Sequence, residues 1–343
     1  MIRVGIIGCG QIAQKRHIPE YINNDFSEII GYYDINFKRA KDLASLYGGK
    51  AYKAWEDLLS NETIDAVSVC TSNDMHACIT VEALRANKHV LCEKPMAMTF
   101  LDCKNMVDEA DKNGKILMID HNQRLAKAHQ LAKKLLEAGE IGKLLSFRTT
   151  FGHGGPESWS IDPGKDTWFF KKDKSVVGVA ADLGVHKLDL VQYLTGQNIV
   201  DVSARLVTLD KRDSSDQLIE VDDNAICICT LDNGAIGTII ISWTYYGPED
   251  NSTILYGNQG IMLIYDDPSF SVQVFKSNGE RIFYDTDRIQ TNDNQTNSGV
   301  VDEFISCIEN KRESELSGRK ILNSMKAVFA VVESSKTGKV VKL

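Results

Sequence analysis

The segment Gly8-Cys9-Gly10-Gln11-Ile12-Ala13 constrains the fold of this 343-residue chain more than any other stretch. It lies between a continuous apolar run, IRVGIIG (2–8), and a helical stretch that continues to about Asn24. A strand that turns into a helix through G-x-G-x-x-A needs a residue free of Cβ clashes at Gly8. It also needs room for a pyrophosphate at Gly10 and a small residue, Ala13, where helix packs on strand. The helix amino terminus offers unpaired N–H groups and a positive dipole end to the phosphates. Gln11 and Ile12 complete this turn and are counted with the cofactor site. The next apolar run, EIIGYYD (28–34), ends in Asp34. A carboxylate there accepts hydrogen bonds from both ribose hydroxyls and repels a 2′-phosphate, which favours NAD over NADP. The plain alternative is that Asp34 caps the following helix. Lys38 and Arg39, a turn further on, are either in reach of a 2′-phosphate or form a solvated helix face.

Apolar strands and amphipathic helices go on alternating to about residue 120. The segment NFKRAKDLASLYG (36–48) closes at Gly48, IDAVSVC (64–70) precedes a helix ending near Asn87, and HVLCE (89–93), a helix over 99–113 and ILMID (116–120) follow. This pattern predicts a parallel sheet covered on both faces, a Rossmann domain over residues 1–121. From 122 to 343 the pattern predicts an α+β domain with a large, open, mainly antiparallel sheet. Its elements are a helix near 124–138, a strand near 143–151, a loop over 152–178 and a helix over 182–195. Strands then fill 199–285, with hairpin signals at Asn233-Gly234, Gly257–Gly260 and Ser277-Asn278-Gly279. A polar loop (286–297), helices over about 299–311 and 318–335, and a short strand end the chain.

A formal charge of −8 gives no general attraction to a polyanion, so nucleic acid is not an expected partner. No apolar run approaches the ~20 residues of a membrane helix, and the amino terminus lacks the pattern of a signal peptide. The eight cysteines are scattered, most of them in apolar runs, and Cys227-Ile228-Cys229 has no second pair or His cluster to complete a zinc set. Reduced thiols in a cytoplasmic protein without a metal site are expected, and the sequons at Asn61, Asn251 and Asn294 then carry no meaning.

Two further motifs carry chemistry. In Cys92-Glu93-Lys94-Pro95 a lysine stands at the carboxyl end of a buried strand, where open α/β sheets place their ligands. In Asp182-Leu183-Gly184-Val185-His186 a carboxylate and an imidazole four residues apart share a helix face, and His is suited to proton exchange near neutral pH. Each has a plain alternative: a solvated loop lysine, and a capping Asp with a surface His. Asp189 is assigned to structure.

Taken in order, G-x-G-x-x-A, Asp34, Thr71-Ser72-Asn73 with His76, Glu93-Lys94-Pro95 and Asp182-x-x-x-His186 resemble the glucose–fructose oxidoreductase / inositol dehydrogenase (Gfo/Idh/MocA) family over the whole chain. The resemblance implies an NAD-dependent oxidoreductase with a sugar or polyol held between the two domains. It implies Lys94, Asp182 and His186 as the catalytic set. Thr71, Asn73, His76, Glu93 and Lys94 join the cofactor site, and Gln123, Arg124 and Trp168 join Lys94, Asp182 and His186 around substrate, with Gln123-Arg124 alternatively bracing the domain junction. It also implies a homo-dimer or homo-tetramer formed through the open sheet. Three departures stand out: Thr-Ser-Asn for the usual Thr-Pro-Asn, Val176–Ala181 in place of a run of glycines, and the individual segment 152–174. An NAD-retaining glycosidase or epimerase, and a non-catalytic NAD or sugar sensor, are the alternatives. Lys165, Lys171, Lys172 and Lys174 are a possible meeting point for an anionic substrate or simply solvated.

Overall fold

The computed structural model describes residues 1–175, 177–288 and 297–343. Packing divides the chain into two units. The first takes Met1–Asn122, Trp159–Asp162 and a stretch that contains residues 300–310 and ends at Leu322; the second takes Gln123–Ser158, a stretch that begins at Pro163 and contains residues 163–175 and 177–288, and Asn323–Leu343.

In the first unit β1 (Ile2–Ile7), β2 (Ser27–Tyr33), β3 (Lys50–Tyr52), β4 (Ala66–Val69), β5 (His89–Cys92) and β6 (Leu117–Ile119) form a sheet in the order β3-β2-β1-β4-β5-β6. Every neighbouring pair is parallel. The inner strands β4 and β5 are buried almost throughout, which is why they read as unbroken apolar runs. The helices are α1 (Ile18–Ile22), α2 (Phe37–Tyr47), α3 (Trp55–Leu59), α4 (Asn73–Arg85) and α5 (Phe100–Asn113). Gly48 closes α2 at φ +86°, as its sequence position predicts. Thr99 caps α5 by accepting from the Asp102 N–H at 3.1 Å. The strand order reverses between β1 and β4, so the loops after β1, β4 and β5 lie at the switch point where such sheets bind ligands. The three-residue β3 and five-residue α3 are absent from the sequence reading because neither is long enough to show a period.

The second unit contains α6 (Lys127–Glu137), β7 (Leu144–Gly152), α7 (Lys172–Ser175), α8 (Val185–Thr195) and β8 (Ile199–Val207). There follow β9 (Asn224–Leu231), β10 (Ile236–Ser242), β11 (Thr253–Gly257), β12 (Gly260–Asp267), β13 (Phe270–Lys276), β14 (Arg281–Tyr284) and β15 (Val341–Lys342). The order is β14-β13-β12-β11-β7-β10-β9-β8-β15, antiparallel except where β7 meets β10. Gly234 and Gly279 turn two of the hairpins with φ +86° and +92°. One face of the sheet is buried: Ala225, Cys227, Cys229 and Leu231 of β9 point into the core, α8 packs on β7, and the turn Ala180–Gly184 before it packs on β7 and β10. The opposite face leaves Ile226, Ile228 and Ile236 about half exposed.

α9 (Val300–Asn310) packs in the first unit, and α10 (Gly318–Thr337) precedes β15. The sequence reading draws one boundary after residue 121; by packing, residues 159–162 and α9 join the unit that precedes it. Most of the polar loop predicted over 286–297, Val176 of the Val176–Ala181 run and the Asn294 sequon lie outside the described residues. Among the described residues no helix is long and apolar enough to cross a membrane.

Candidate functional site

The turn after β1 has the geometry its glycines require. Gly8 has φ +93°, and a Cβ there would lie 2.5 Å from the Cys70 carbonyl oxygen. A Cβ on Gly10 would meet nothing within 4 Å, which leaves the close approach that a pyrophosphate needs. Ala13 is fully buried, while Gln11 and Ile12 are partly exposed. Asp34 braces this turn: its carboxylate accepts from the Cys9 N–H and the Asn36 N–H, both at 2.8 Å. It therefore ties the phosphate turn to Asn36, the residue that precedes α2, while α2 itself has no side-chain cap. Lys38 pairs with Asp42, and Arg39 lies on Asp34 at 3.3 Å. An open Gly10 flanked by a held carboxylate fits a dinucleotide.

The loops after β4 and β5 are tied to each other. His76, buried in the first turns of α4, has Nδ1 2.8 Å from the Pro95 carbonyl and Nε2 3.2 Å from the Thr71 carbonyl. Burial lowers its pKa. A neutral ring has one N–H to give, so it donates to one of these two carbonyls, with Pro95 the nearer. Asn73 is buried beside it, and Lys94 is partly exposed. Glu93 is buried and turned inward: Oε2 accepts from the Lys94 N–H at 3.1 Å and Oε1 is 3.0 Å from His17 Nε2.

In the second unit a π-helical turn, Ala180–Gly184, leads into α8 and carries Asp182, with His186 at the second position of α8. Such turns recur at functional sites because they re-aim a side chain within a helix. Asp222 builds this one. Its carboxylate accepts from the Gly178 N–H (3.0 Å) and the Ala180 N–H (2.9 Å), and a Cβ on Gly178 would overlap its carbonyl. Burial pushes the Asp222 carboxyl up to about 6 against those two bonds. The Trp243 indole N–H donates to Asp182 Oδ2 at 3.0 Å. Trp168 stacks on Phe169, with 3.9 Å between ring centroids, and Phe169 meets Trp243 edge-on. His186 is buried against Phe151. Gln123 Nε2 is 3.4 Å from Asn251 Oδ1. Arg124 donates through Nε (2.8 Å) and Nη2 (2.6 Å) to Asp189, which also accepts from Ser324.

Comparison with known proteins decides the lineage. The sequence model described as "Oxidoreductase family, NAD-binding Rossmann fold" matches residues 2–121, and the GFO/IDH/MocA C-terminal domain matches 129–263. The glucose-6-phosphate 3-dehydrogenase of Bacillus subtilis (strain 168) is 30% identical over 244 residues, 71% of this chain and 68% of that one. The chain belongs to the Gfo/Idh/MocA family. Levoglucosan dehydrogenase of Pseudarthrobacter phenanthrenivorans is 31% identical over 225 residues, 60% of this chain. That match spans 56% of the relative's length, little more than half. Aldose-aldose oxidoreductase from Caulobacter crescentus, solved with glycerol, superposes with a TM-score of 0.85 at 25% identity, covering 100% of this chain and 99% of that one. The first unit of this Gfo/Idh/MocA protein is thus an NAD-binding Rossmann domain, as its glycine motif and Asp34 predict.

Several supporting residues escape the sequence reading. His17, in the π-turn Ala13–His17, is enclosed by Glu93, Asp120 (3.4 Å) and Ser68 (3.3 Å), with Tyr21 on Ser68 at 2.8 Å. His17, Glu93 and Asp120 bring ligand-type atoms within 4.8 Å of one another. The His17–Glu93 hydrogen bond and the Arg16 guanidinium 3.9 Å from Asp120 make this an ion-paired cluster, a poor setting for a further cation. Burial opposes charge on His17, but Cys70, Asp120 and Glu93 outweigh it and raise its pKa well above the usual imidazole value. Burial likewise opposes charge on Glu93, and His17, Arg16 and Lys94 bring its pKa well below the carboxylate range. The sole sequence signal for His17 is its position four residues past Ala13 in the first helix. Asp222 and Trp243 give no local signal at all.

Proposed function

We propose that this protein is an NAD-dependent dehydrogenase acting on a secondary alcohol of a sugar or polyol, inositol-like or aldose. The observation that carries the reading is Asp182 in the buried turn that leads into α8, with His186 at the second position of that helix. Lys94 stands at the ligand-binding end of the NAD-binding sheet in the same chain. When bound, NAD supplies the hydride acceptor at its nicotinamide ring. In this reading His186 takes the hydroxyl proton as the carbon gives up hydride. Lys94 donates to the same oxygen and stabilises the negative charge that develops there. Asp182, fixed by Trp243, orients His186 or the substrate. Thr71, Asn73, His76 and Glu93 shape the cofactor side through the Pro95 loop. Gln123 and Trp168 contribute to the substrate surface, and Arg124 acts as a brace through its pair with Asp189. The names of the relatives, both dehydrogenases of sugars, support the substrate class.

The test is NADH formation from purified protein and NAD across inositols, aldoses and their phosphates. Lys94→Ala and His186→Ala lower kcat by about 100-fold or more, with NAD affinity within about twofold of the parent. Turnover near the parent value in either variant refutes the assignment.

The half-exposed Ile226, Ile228 and Ile236 form an apolar face of the kind usually covered by another chain. We propose a homo-dimer or homo-tetramer assembled through it. Light scattering then shows an oligomer that Ile226→Glu with Ile228→Glu dissociates; a monomeric parent protein overturns the assembly.

A further inference from the structure

The segment Trp159–Asp162 comes from the loop that sets this chain apart, yet it packs in the NAD-binding unit. There Asp162 engages Arg39 with both oxygens, at 2.9 and 3.0 Å from Nη2. The other amino group of Arg39, Nη1, lies 3.3 and 3.5 Å from the two oxygens of Asp34. The guanidinium is largely enclosed, with 17% of the Arg39 side chain exposed, whereas Asp162 is 80% exposed and reaches in from outside.

Asp34 is the residue expected at the ribose hydroxyls, and an arginine close to that position is what accommodates a 2′-phosphate in NADP enzymes. Asp34 and Arg39 alone cancel, and a neutral pair gives little electrostatic refusal of a phosphate. Asp162 restores a net charge of −1 to the group and occupies the amino group that faces away from Asp34. We propose that Asp162 is a coenzyme-specificity residue: it holds Arg39 against Asp34 and so denies the guanidinium to a 2′-phosphate. NAD selectivity then resides in two carboxylates acting on one arginine, the second supplied by the individual loop. Lys38, in an exposed pair with Asp42 at 2.7 Å, is left unchanged in every variant, so its contribution to phosphate binding is the same throughout.

This inference rests on the NAD reading of the first unit. The experiment is isothermal titration of the cofactor-free full chain with NAD, NADP, 5′-AMP and 2′,5′-ADP. The variants are Asp162→Asn, Arg39→Ala and the double variant. Asp162→Asn tightens 2′,5′-ADP and NADP by about tenfold, the size expected for removing one charge beside a doubly charged group near solvent. Binding of 5′-AMP moves by less than about threefold, since it lacks the 2′-phosphate on which the effect depends. The gain shrinks with added salt and disappears in the double variant. Values for 2′,5′-ADP within twofold of the parent in Asp162→Asn overturn the proposal, as does equal tightening of 5′-AMP. A parent protein that binds neither NAD nor 5′-AMP overturns the NAD reading itself and this proposal with it. Asp162 is a surface residue, so an unchanged thermal midpoint in Asp162→Asn keeps misfolding out of the comparison.

Discussion

Replacing Arg124 by methionine separates a structural brace from a substrate contact. The Arg124 and Asp189 side chains are 6% and 2% exposed, and the guanidinium makes two short bonds to the carboxylate. The methionine side chain fills much of the same volume, so the dominant loss is the counter-charge of Asp189. What remains is a buried carboxylate that keeps the Ser324 hydroxyl at 2.6 Å but has lost the guanidinium. Breaking such a pair on one side costs about 3–5 kcal/mol, whereas replacing both partners by apolar groups is often neutral. At roughly 2–4 °C per kcal/mol for a unit of 150–250 residues, the midpoint falls by about 10 °C.

The assay is thermal and urea unfolding of Arg124→Met, Asp189→Leu and the double variant, alongside KM for the best substrate. A brace gives two unstable single variants and a double variant within about 1 kcal/mol of the parent, with a strong positive coupling between the sites. A substrate contact gives Arg124→Met with an unchanged midpoint and a KM raised more than about tenfold. The second pattern refutes the reasoning, because it requires a guanidinium whose worth lies outside the Asp189 pair.

Gly8→Ala places a Cβ 2.5 Å from the Cys70 carbonyl at φ +93°, so it costs about 1–3 kcal/mol from backbone strain alone and weakens NAD binding, read by titration and by urea midpoint. His17 keeps its proton in the native state above the pH at which the unfolded chain releases it, so its contribution to stability is complete below about pH 6.5 and is lost as pH rises through its raised native value. Urea unfolding between pH 6 and 9 shows that loss in the parent and not in His17→Gln. The comparison is made between the two proteins because buried Lys187, brought down to about 7 by burial, contributes the opposite slope.

Residues whose role is local were legible in the sequence. Gly8 and Ala13 announce a strand-turn-helix unit because both belong to one short motif whose turn needs a positive φ, and Asn233-Gly234 announces a hairpin for the same reason. The two π-turns are not legible: the helical stretch to about Asn24 and the helix over 182–195 give no sign of the extra residue in the turns Ala13–His17 and Ala180–Gly184. Nor were the partners of the motif residues. His17 stands 76 residues from Glu93, Trp243 stands 61 from Asp182, and Asp222 stands 42 from Ala180. Such pairings are decided by sheet order, which no local pattern encodes.

That division has a consequence for specificity. The motif groups specify what chemistry the chain can do, and their partners fix where each group is held. Glu93 can brace the Lys94 backbone because His17 fixes its other oxygen, and Asp182 is aimed by the indole of Trp243, the residue after β10. Preorganisation of this kind depends on buried neighbours that tolerate little change, so it suits chemistry common to a family. The Asp162 contact is of the opposite kind. It comes from an exposed residue, and it acts on a cation already present beside Asp34. A single substitution there alters the charge at the ribose without disturbing the glycine turn, the Pro95 loop or the α8 turn. Coenzyme preference in such a chain is therefore free to change in steps that leave the reacting groups in place.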